Sequence, residues 1–302
     1  MALVFEQVLL LFLFVTIGWV LCRTRVVNGE QSGILSRLLV YLFFPCKVFR
    51  TFAEDLTLPF LAEHWQIPVI AFAVTAVCAV VMHFAAKLMT KQAYERSIIE
   101  YSLVVPNYAY MGYALTEAIL GTEGLVSYML FTLPVTVYIY TVGFSLLTKR
   151  GFSPKKLLNP VTVALVLGIT FMLTGLRLPP LLSSALQKAS ACLAPVSMVL
   201  TGIVIAGFPL TDMLKNKKVY LVSAFRLLIL PLAVGGILSL FCDSRTVAVA
   251  VLLYALPCGL NTVVFPRLIG EDCRLGAGLA LVSCLFSCIT IPLISGIFQM
   301  GG

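Results

Sequence analysis

ERSIIEYSLVVPNYAYMGYALTEAILG, residues 95–121, is apolar enough to lie in a bilayer and yet carries Pro106 and Asn107 at its middle. A proline there removes one backbone donor and crowds the carbonyl four residues back, and the asparagine brings an amide that hydrocarbon cannot solvate. A helix is expected to break at that point. About 150 residues on, YALPCGLNTVVFPRLIG (254–270) places Pro257, Gly259, Asn261 and Pro266 inside a second apolar stretch that begins near Ser244. Two interrupted segments in matching places of two halves point to the binding site of a secondary transporter.

Composition sets the class independently of these breaks. Of 302 residues 60% are hydrophobic and only 11% charged, with a mean hydropathy of +1.04. That is a polytopic membrane protein, far from the average soluble domain. The net charge of +8 does not point to nucleic acid, because the basic residues fall in short clusters between apolar runs, where membrane topology accounts for them. Nine cysteines sit in or at the ends of apolar segments, with no CxxC pairing and an odd total; free, buried thiols are expected, with no disulfide framework and no metal site.

Ten apolar runs are readable: Phe5 to Cys22, Ile34 to Ala53, Ile67 to Met89, Ile98 to Leu120, Leu125 to Leu147, Pro160 to Leu176, Leu182 to Phe208, Val219 to Phe241, Thr246 to Pro266 and Leu275 to Phe298. The first lacks a basic leader and a small-x-small cleavage site, and its core is long, so it is read as a permanent helix and not as a signal peptide. The longest connection, Thr148 to Asn159, is too short to fold alone. Odd-numbered connections carry Arg23, Arg25 and Arg37; Lys87, Lys91 and Arg96; Lys149, Arg150, Lys155 and Lys156; Lys215, Lys217 and Lys218; and Arg267 and Arg274. Even-numbered ones carry only Arg177, Lys188 and Arg245, alongside Glu54, Asp55, Glu63, Glu117, Glu123 and Asp243. The bias puts the odd loops in the cytoplasm and both termini outside it.

Internal repetition appears at half the length. Gly18 and Gly168, Pro45 and Pro195, Pro106 and Pro257, and Gly121 and Gly270 are 150, 150, 151 and 149 residues apart. Each pair falls at the same place in its segment, which indicates two five-helix repeats, residues 1–150 and 151–302. Five is odd, so the second copy enters from the opposite face. The expected fold is an all-α membrane protein of ten transmembrane helices in two inverted repeats, with broken fourth and ninth helices crossing near the midplane. Each break leaves a half-helix amino end with free N–H groups in the membrane centre.

LSRLLVYLFFPCKVF (35–49), VPNYAYMG (105–112) with ILGTEGL (119–125), NPVTVALVLGITFMLTGLRLPPLL (159–182), AFRLLILPL (224–232) and ALPCGLNTVVFPRLIGEDCRLGAGLALVSCLFSCITIPL (255–293) together resemble the auxin efflux carrier family, and most of all its compact bacterial members, the malate and malonate permeases. The resemblance runs through nearly the whole chain. It implies a bile-acid-symporter-like fold, a multi-pass protein of the cell membrane (in a bacterium, the inner membrane), and transport of organic anions. It also implies a scaffold of helices 1, 2, 6 and 7 and a moving core of helices 3 to 5 and 8 to 10. Two features depart from the family. Tyr113-Ala114 stands where a Leu-Pro pair often follows the helix-4 glycine, and the connection between helices 5 and 6 is short, unlike that of plant hormone exporters. Auxin itself is not the expected substrate.

Candidate site residues follow from the breaks. Asn107 beside Pro106, and Asn261 four residues past Pro257, are placed to face the crossing and contact substrate or ion; the alternative is that they only satisfy backbone groups freed by the break. Tyr108, Tyr110 and Thr262 are secondary candidates, with packing as the alternative. Glu100 and Arg226 are ionisable groups within spans, both in the cytoplasmic half; they read as a buried ion pair or, for Glu100, as a proton-coupling group. Lys47 and Arg50, three residues apart on one helix face past Pro45, are positive charges that need an anion or carboxylate nearby. Arg50 can snorkel toward Glu54, whereas Lys47 lies deeper and reads as a contact for an anionic substrate. His64 and His83 have no ligand-like neighbours in sequence, and no HExxH, P-loop, GxGxxG or Ser-His-Asp context occurs, so catalysis has no foothold.

The expected function is a secondary carrier for a small organic anion, without cofactor. The rivals are a sensor that binds without translocating and a sodium-coupled symporter, which would need acidic ligands that the ninth helix lacks between Thr246 and Pro266. A homodimer stays open, as do the coupling ion and the direction of transport.

Overall fold

The computed structural model describes residues 2–28, 32–151 and 158–300. Two of the basic loop residues, Lys155 and Lys156, lie outside them. The described chain is helical: α1 (Ala2–Arg23), α2 (Ser32–Asp55), the short α3 (Leu58–Glu63), α4 (Gln66–Met89), α5 (Ala93–Val104), α6 (Tyr108–Thr148), α7 (Pro160–Thr174), α8 (Pro180–Ala206), the short α9 (Leu210–Lys215), α10 (Lys217–Leu238), α11 (Ser244–Ala255), α12 (Asn261–Arg267) and α13 (Arg274–Ile297). Seven of these, α1, α2, α4, α6, α8, α10 and α13, are long and apolar enough to cross a membrane; α7 and α11 are shorter apolar helices. The stretch expected as one fourth span is divided between α5 and the start of α6, and α6 turns at Gly121, whose φ of 69° is open to glycine and strained for other residues.

Prolines shape the long helices without ending them. Pro45 in α2 and Pro231 in α10 each lack the N–H that would bond back one turn, and each follows a π-helical turn, Leu39–Phe43 and Phe225–Ile229. The wider turn gives the ring room that a regular α-helix denies it. Elsewhere the ends are capped by side chains: Asn159 accepts from the N–H groups of Val161 and Thr162 at the start of α7, and Asp243 accepts from Thr246 at the start of α11. Burial alone would raise the Asp243 carboxyl, but the hydrogen bonds from the Thr246 side chain and backbone and from the Arg245 backbone outweigh it and hold the carboxyl below its usual range.

α1 packs along α8 and α2 against α7, while α4 packs on α5 and α6 and α10 on α11 and α13. The α1–α8 contact is backbone on backbone. A Cβ at Gly18 would lie 2.0 Å from the Val199 carbonyl oxygen, and one at Gly202 would lie 1.9 Å from that of Val15. Small residues let membrane helices approach this closely, where dispersion replaces the missing hydrophobic drive. Gly202→Val is therefore expected to push the two helices apart and to destabilise by about 1–3 kcal/mol, read as a lower midpoint of thermal unfolding in detergent.

Charged contacts sort into two ends. Lys218 pairs with Glu95 and Lys149 with Glu271, and Arg267 lies over Phe208; these residues come from the third, fifth, seventh and ninth connections. At the other end Arg245 pairs with Glu123 at 2.8 Å and lies over the Phe60 ring, residues of the second, fourth and eighth connections. The nine cysteines are free.

Candidate functional site

The two interruptions meet. α5 stops at Val104 and α6 starts at Tyr108; α11 stops at Ala255 and α12 starts at Asn261. Between them Pro106 and Cys258 face each other as an antiparallel bridge, with the Asn107 N–H donating to the Pro257 carbonyl at 2.8 Å. The Cys258 N–H donates to the Ser283 hydroxyl of α13 at 2.9 Å. The second break thus supplies a backbone acceptor to the first, and α13 a side-chain acceptor to the second, as irregular backbone shielded from lipid requires. On the far side of the break the Asn107 carbonyl accepts from the N–H groups of Met111 and Gly112 at 3.3 and 3.2 Å. The N–H groups of Tyr108, Ala109 and Tyr110 open α6 and have no earlier turn to bond to.

Arg226 binds the carboxyl ends of the first half-helices. It is fully buried in α10, and its guanidinium donates to the carbonyls of Leu103 (2.5 Å), Leu256 (3.2 Å) and Leu253 (3.3 Å). One planar cation thereby satisfies the last turn of α5 and the end of α11 together, at the negative ends of both helix dipoles. This corrects the expected Glu100–Arg226 ion pair. Glu100, also buried, instead meets His83 Nδ1 of α4 at 2.9 Å, a partner that sequence neighbourhood did not reveal because α4 and α5 are separate helices.

A cavity of about 220 Å³ lies beside the crossing. Pro106, Asn107, Tyr108, Ala109 and Tyr110 line it from one break and Gly259, Leu260 and Asn261 from the other; Ser36, Val40 and Phe44 of α2, Tyr140 of α6 and Val161 of α7 complete much of the wall. No charged side chain is among the described residues that line it. Asn107 is 8% exposed, and its amide has no hydrogen-bond partner among the described residues. Asn261 donates through Nδ2 to the Tyr101 hydroxyl at 2.7 Å, so one side of its amide is committed to the protein. Asn261→Ala is expected to lower ligand affinity less than a change at Asn107 does and to strip the buried Tyr101 hydroxyl of its partner, at about 1–3 kcal/mol of stability. Tyr101→Phe restores that balance, and the double variant measured by thermal unfolding separates the two effects.

The other expected residues fall differently. The Tyr108 hydroxyl is taken by Thr136 at 3.0 Å, and the fully buried Thr262 hydroxyl donates to the Gly259 carbonyl at 3.1 Å; both side chains serve the fold around the break. Pro257 shapes the crossing from outside the cavity wall. Lys47 does not line the cavity either: its ammonium sits 2.6 Å from Glu117 of α6, a carboxylate at the end of the fourth apolar run that the charge bias counts with the following loop. Arg50 takes Glu54 one turn on at 3.1 Å and Asp55 at 4.0 Å. At Tyr113-Ala114, where the sequence departs from the family pattern, α6 continues unbroken and the Tyr113 ring packs edge-on against Phe44, Tyr108 and Tyr128 at 5.8–6.0 Å. Tyr101 and Tyr140 were missed; Tyr101 sits one turn before the break, and that spacing was the available signal.

The profile of a family described as "Membrane transport protein" matches this chain twice, over residues 3–156 and 152–295. An uncharacterized transporter of Methanothermobacter thermautotrophicus is 24% identical over 295 residues, covering 95% of this chain and 96% of that protein. A second uncharacterized transporter, from Methanocaldococcus jannaschii, is 22% identical over 303 residues with the same coverage. With helices fit to cross a bilayer and a family match over nearly its whole length, the chain belongs to the membrane transport protein family, that of the auxin efflux carriers, and is a transporter and not an enzyme.

Proposed function

We propose that the protein is a secondary carrier that moves a small organic anion, a mono- or dicarboxylate, across the cell membrane by alternating access around the two breaks. The observation that carries this reading is Asn107, a buried residue in the wall of a cavity where two helix breaks meet, whose amide has no hydrogen-bond partner among the described residues. An amide left open at bilayer depth costs free energy that a bound ligand recovers. The three leading N–H groups of α6 and its dipole add partial positive charge at the same place, which favours a carboxylate over a cation.

The architecture that goes with this reading is ten crossings in two inverted five-helix repeats. Three observations support it. The charged contacts sort into odd and even connections at opposite ends. Gly121 and Gly270, 149 residues apart, take φ values of 69° and 71°. The family profile matches each half separately. On this topology both termini are extracytoplasmic, and the cavity, whose lining reaches Ser36 and Val161 at the basic end, is entered from the cytoplasm. In this reading α1, α2, α7 and α8 form the scaffold against which α4 to α6 and α10 to α13 move, with the contact of α1 on α13 as the main seam between the two.

Sodium coupling has less support, since the Arg226 guanidinium occupies carbonyls of both breaks that a cation would use and no carboxylate is among the described residues that line the cavity. The test is uptake of radiolabelled malonate, propionate and benzoate into proteoliposomes, with and without proton and sodium gradients. Saturable flux of at least one is the expected result; binding without flux would make the protein a sensor on the same fold.

A further inference from the structure

We propose that Lys47 is a second binding station for the substrate's carboxylate, used when the cavity opens toward the acidic end, and that Glu117 stands in for that carboxylate while this end is shut. The inference rests on the transport reading above and adds a residue that the cavity at the breaks does not contain.

Lys47 lies three residues beyond Phe44 on α2, hence on the same helix face and about 4.5 Å further along the axis; Phe44 itself lines the cavity. The Lys47 side chain is only 7% exposed, whereas Glu117 is 40% exposed. The two partners are therefore unequal. Glu117, four residues before α6 turns at Gly121, is the more open partner and the freer to move away, but a buried ammonium cannot be left bare and needs another anion in its place. Nearby Arg50 already has two carboxylates of its own, Glu54 at 3.1 Å and Asp55 at 4.0 Å.

A second observation points to a ligand at the same place. The hydroxyls of Thr51 and Thr116 are fully buried and make no hydrogen bond. Most helix threonines here bond back to their own helix, as Thr136, Thr141 and Thr201 do. Thr51 is one turn past Lys47 on α2, and Thr116 is one turn past Tyr113, whose ring packs on Phe44, so both lie on the α2–α6 contact that Lys47 and Glu117 bridge. Two open donors beside a buried cation are what an entering carboxylate needs, and buried hydroxyls without partners call for such an explanation. Among the described residues the cavity at the breaks offers amide and backbone donors but no cation, so a carboxylate coming from the acidic end meets the buried positive charge of Lys47 before it reaches Asn107.

The experiment measures malonate uptake from each face, in right-side-out and inside-out vesicles. Lys47→Gln is expected to raise the half-saturating concentration at the Lys47 face by about tenfold or more and to leave the opposite face within about twofold. Glu117→Gln, which removes the internal competitor, is expected to lower it at the Lys47 face only. The charge-reversed pair, Lys47→Glu with Glu117→Lys, rebuilds the ion pair and keeps the fold testable; it is expected not to restore affinity. Restoration of wild-type half-saturation by the reversed pair, or no change with Lys47→Gln at its own face, would mean a structural ion pair and overturn the proposal. A wild type that moves none of malonate, propionate and benzoate overturns the transport reading first, and this inference with it.

Discussion

Asn107→Ala is expected to reduce carboxylate flux by about a hundredfold, the loss that follows when a hydrogen bond worth about 3 kcal/mol to a charged group is removed. The same change is expected to leave thermal unfolding nearly where it was. The reasoning is an inventory of partners: the Asn107 side chain holds nothing in the protein, while its backbone N–H, which alanine keeps, makes the 2.8 Å bond to Pro257. Flux in proteoliposomes and unfolding in detergent, measured on the same preparation, decide the matter. A variant that transports normally, or one that cannot be recovered folded, would assign Asn107 to the scaffold of the break and not to its ligand.

Arg226→Met should do the reverse, with the fold lost before function can be assayed. The guanidinium satisfies three carbonyls at the ends of α5 and α11, and methionine fills the space while leaving them open in a water-free interior. At about 1–3 kcal/mol for each unsatisfied group, the cost approaches the whole stability of an ordinary domain. Arg226→Lys keeps the charge but cannot reach three divergent carbonyls from one ammonium, so partial recovery at best is expected. Expression yield and monodispersity in detergent report the outcome, and a well-folded Arg226→Met protein would contradict it.

Much of this was legible in the chain because breakers act locally. Pro106, Asn107, Pro257 and Asn261 interrupt their helices through sterics and missing donors that need no knowledge of the rest of the molecule. The helices long and apolar enough to cross a bilayer were legible too, since they follow from apolar run length. Azimuth was not. Glu100 and Arg226 read as lying in the same half, yet one faces α4 and the other the two carbonyl ends, because run length carries no information on which way a side chain points. Glu117 was assigned to a loop because charge and depth were read together. It lies on α6 itself, four residues before the Gly121 turn, and its presence there depends on Lys47 coming from a helix 70 residues earlier.

The backbone bond between the two breaks also bears on how the protein is made. When the ribosome has delivered α5 and α6, the Asn107 N–H and the Leu103 carbonyl have no partners, for Pro257 and Arg226 are still unsynthesised. At about 5–20 residues per second, the roughly 150 residues that separate Asn107 from Pro257 take roughly 8–30 s to emerge. Through that interval the first broken segment cannot settle in lipid in its final form. It has to wait at the insertion machinery, at the interface, or as a transient continuous helix that opens once its counterpart arrives. Truncation after the first repeat should therefore leave a chain that quality-control proteases remove, although every hydrophobic run in it is complete.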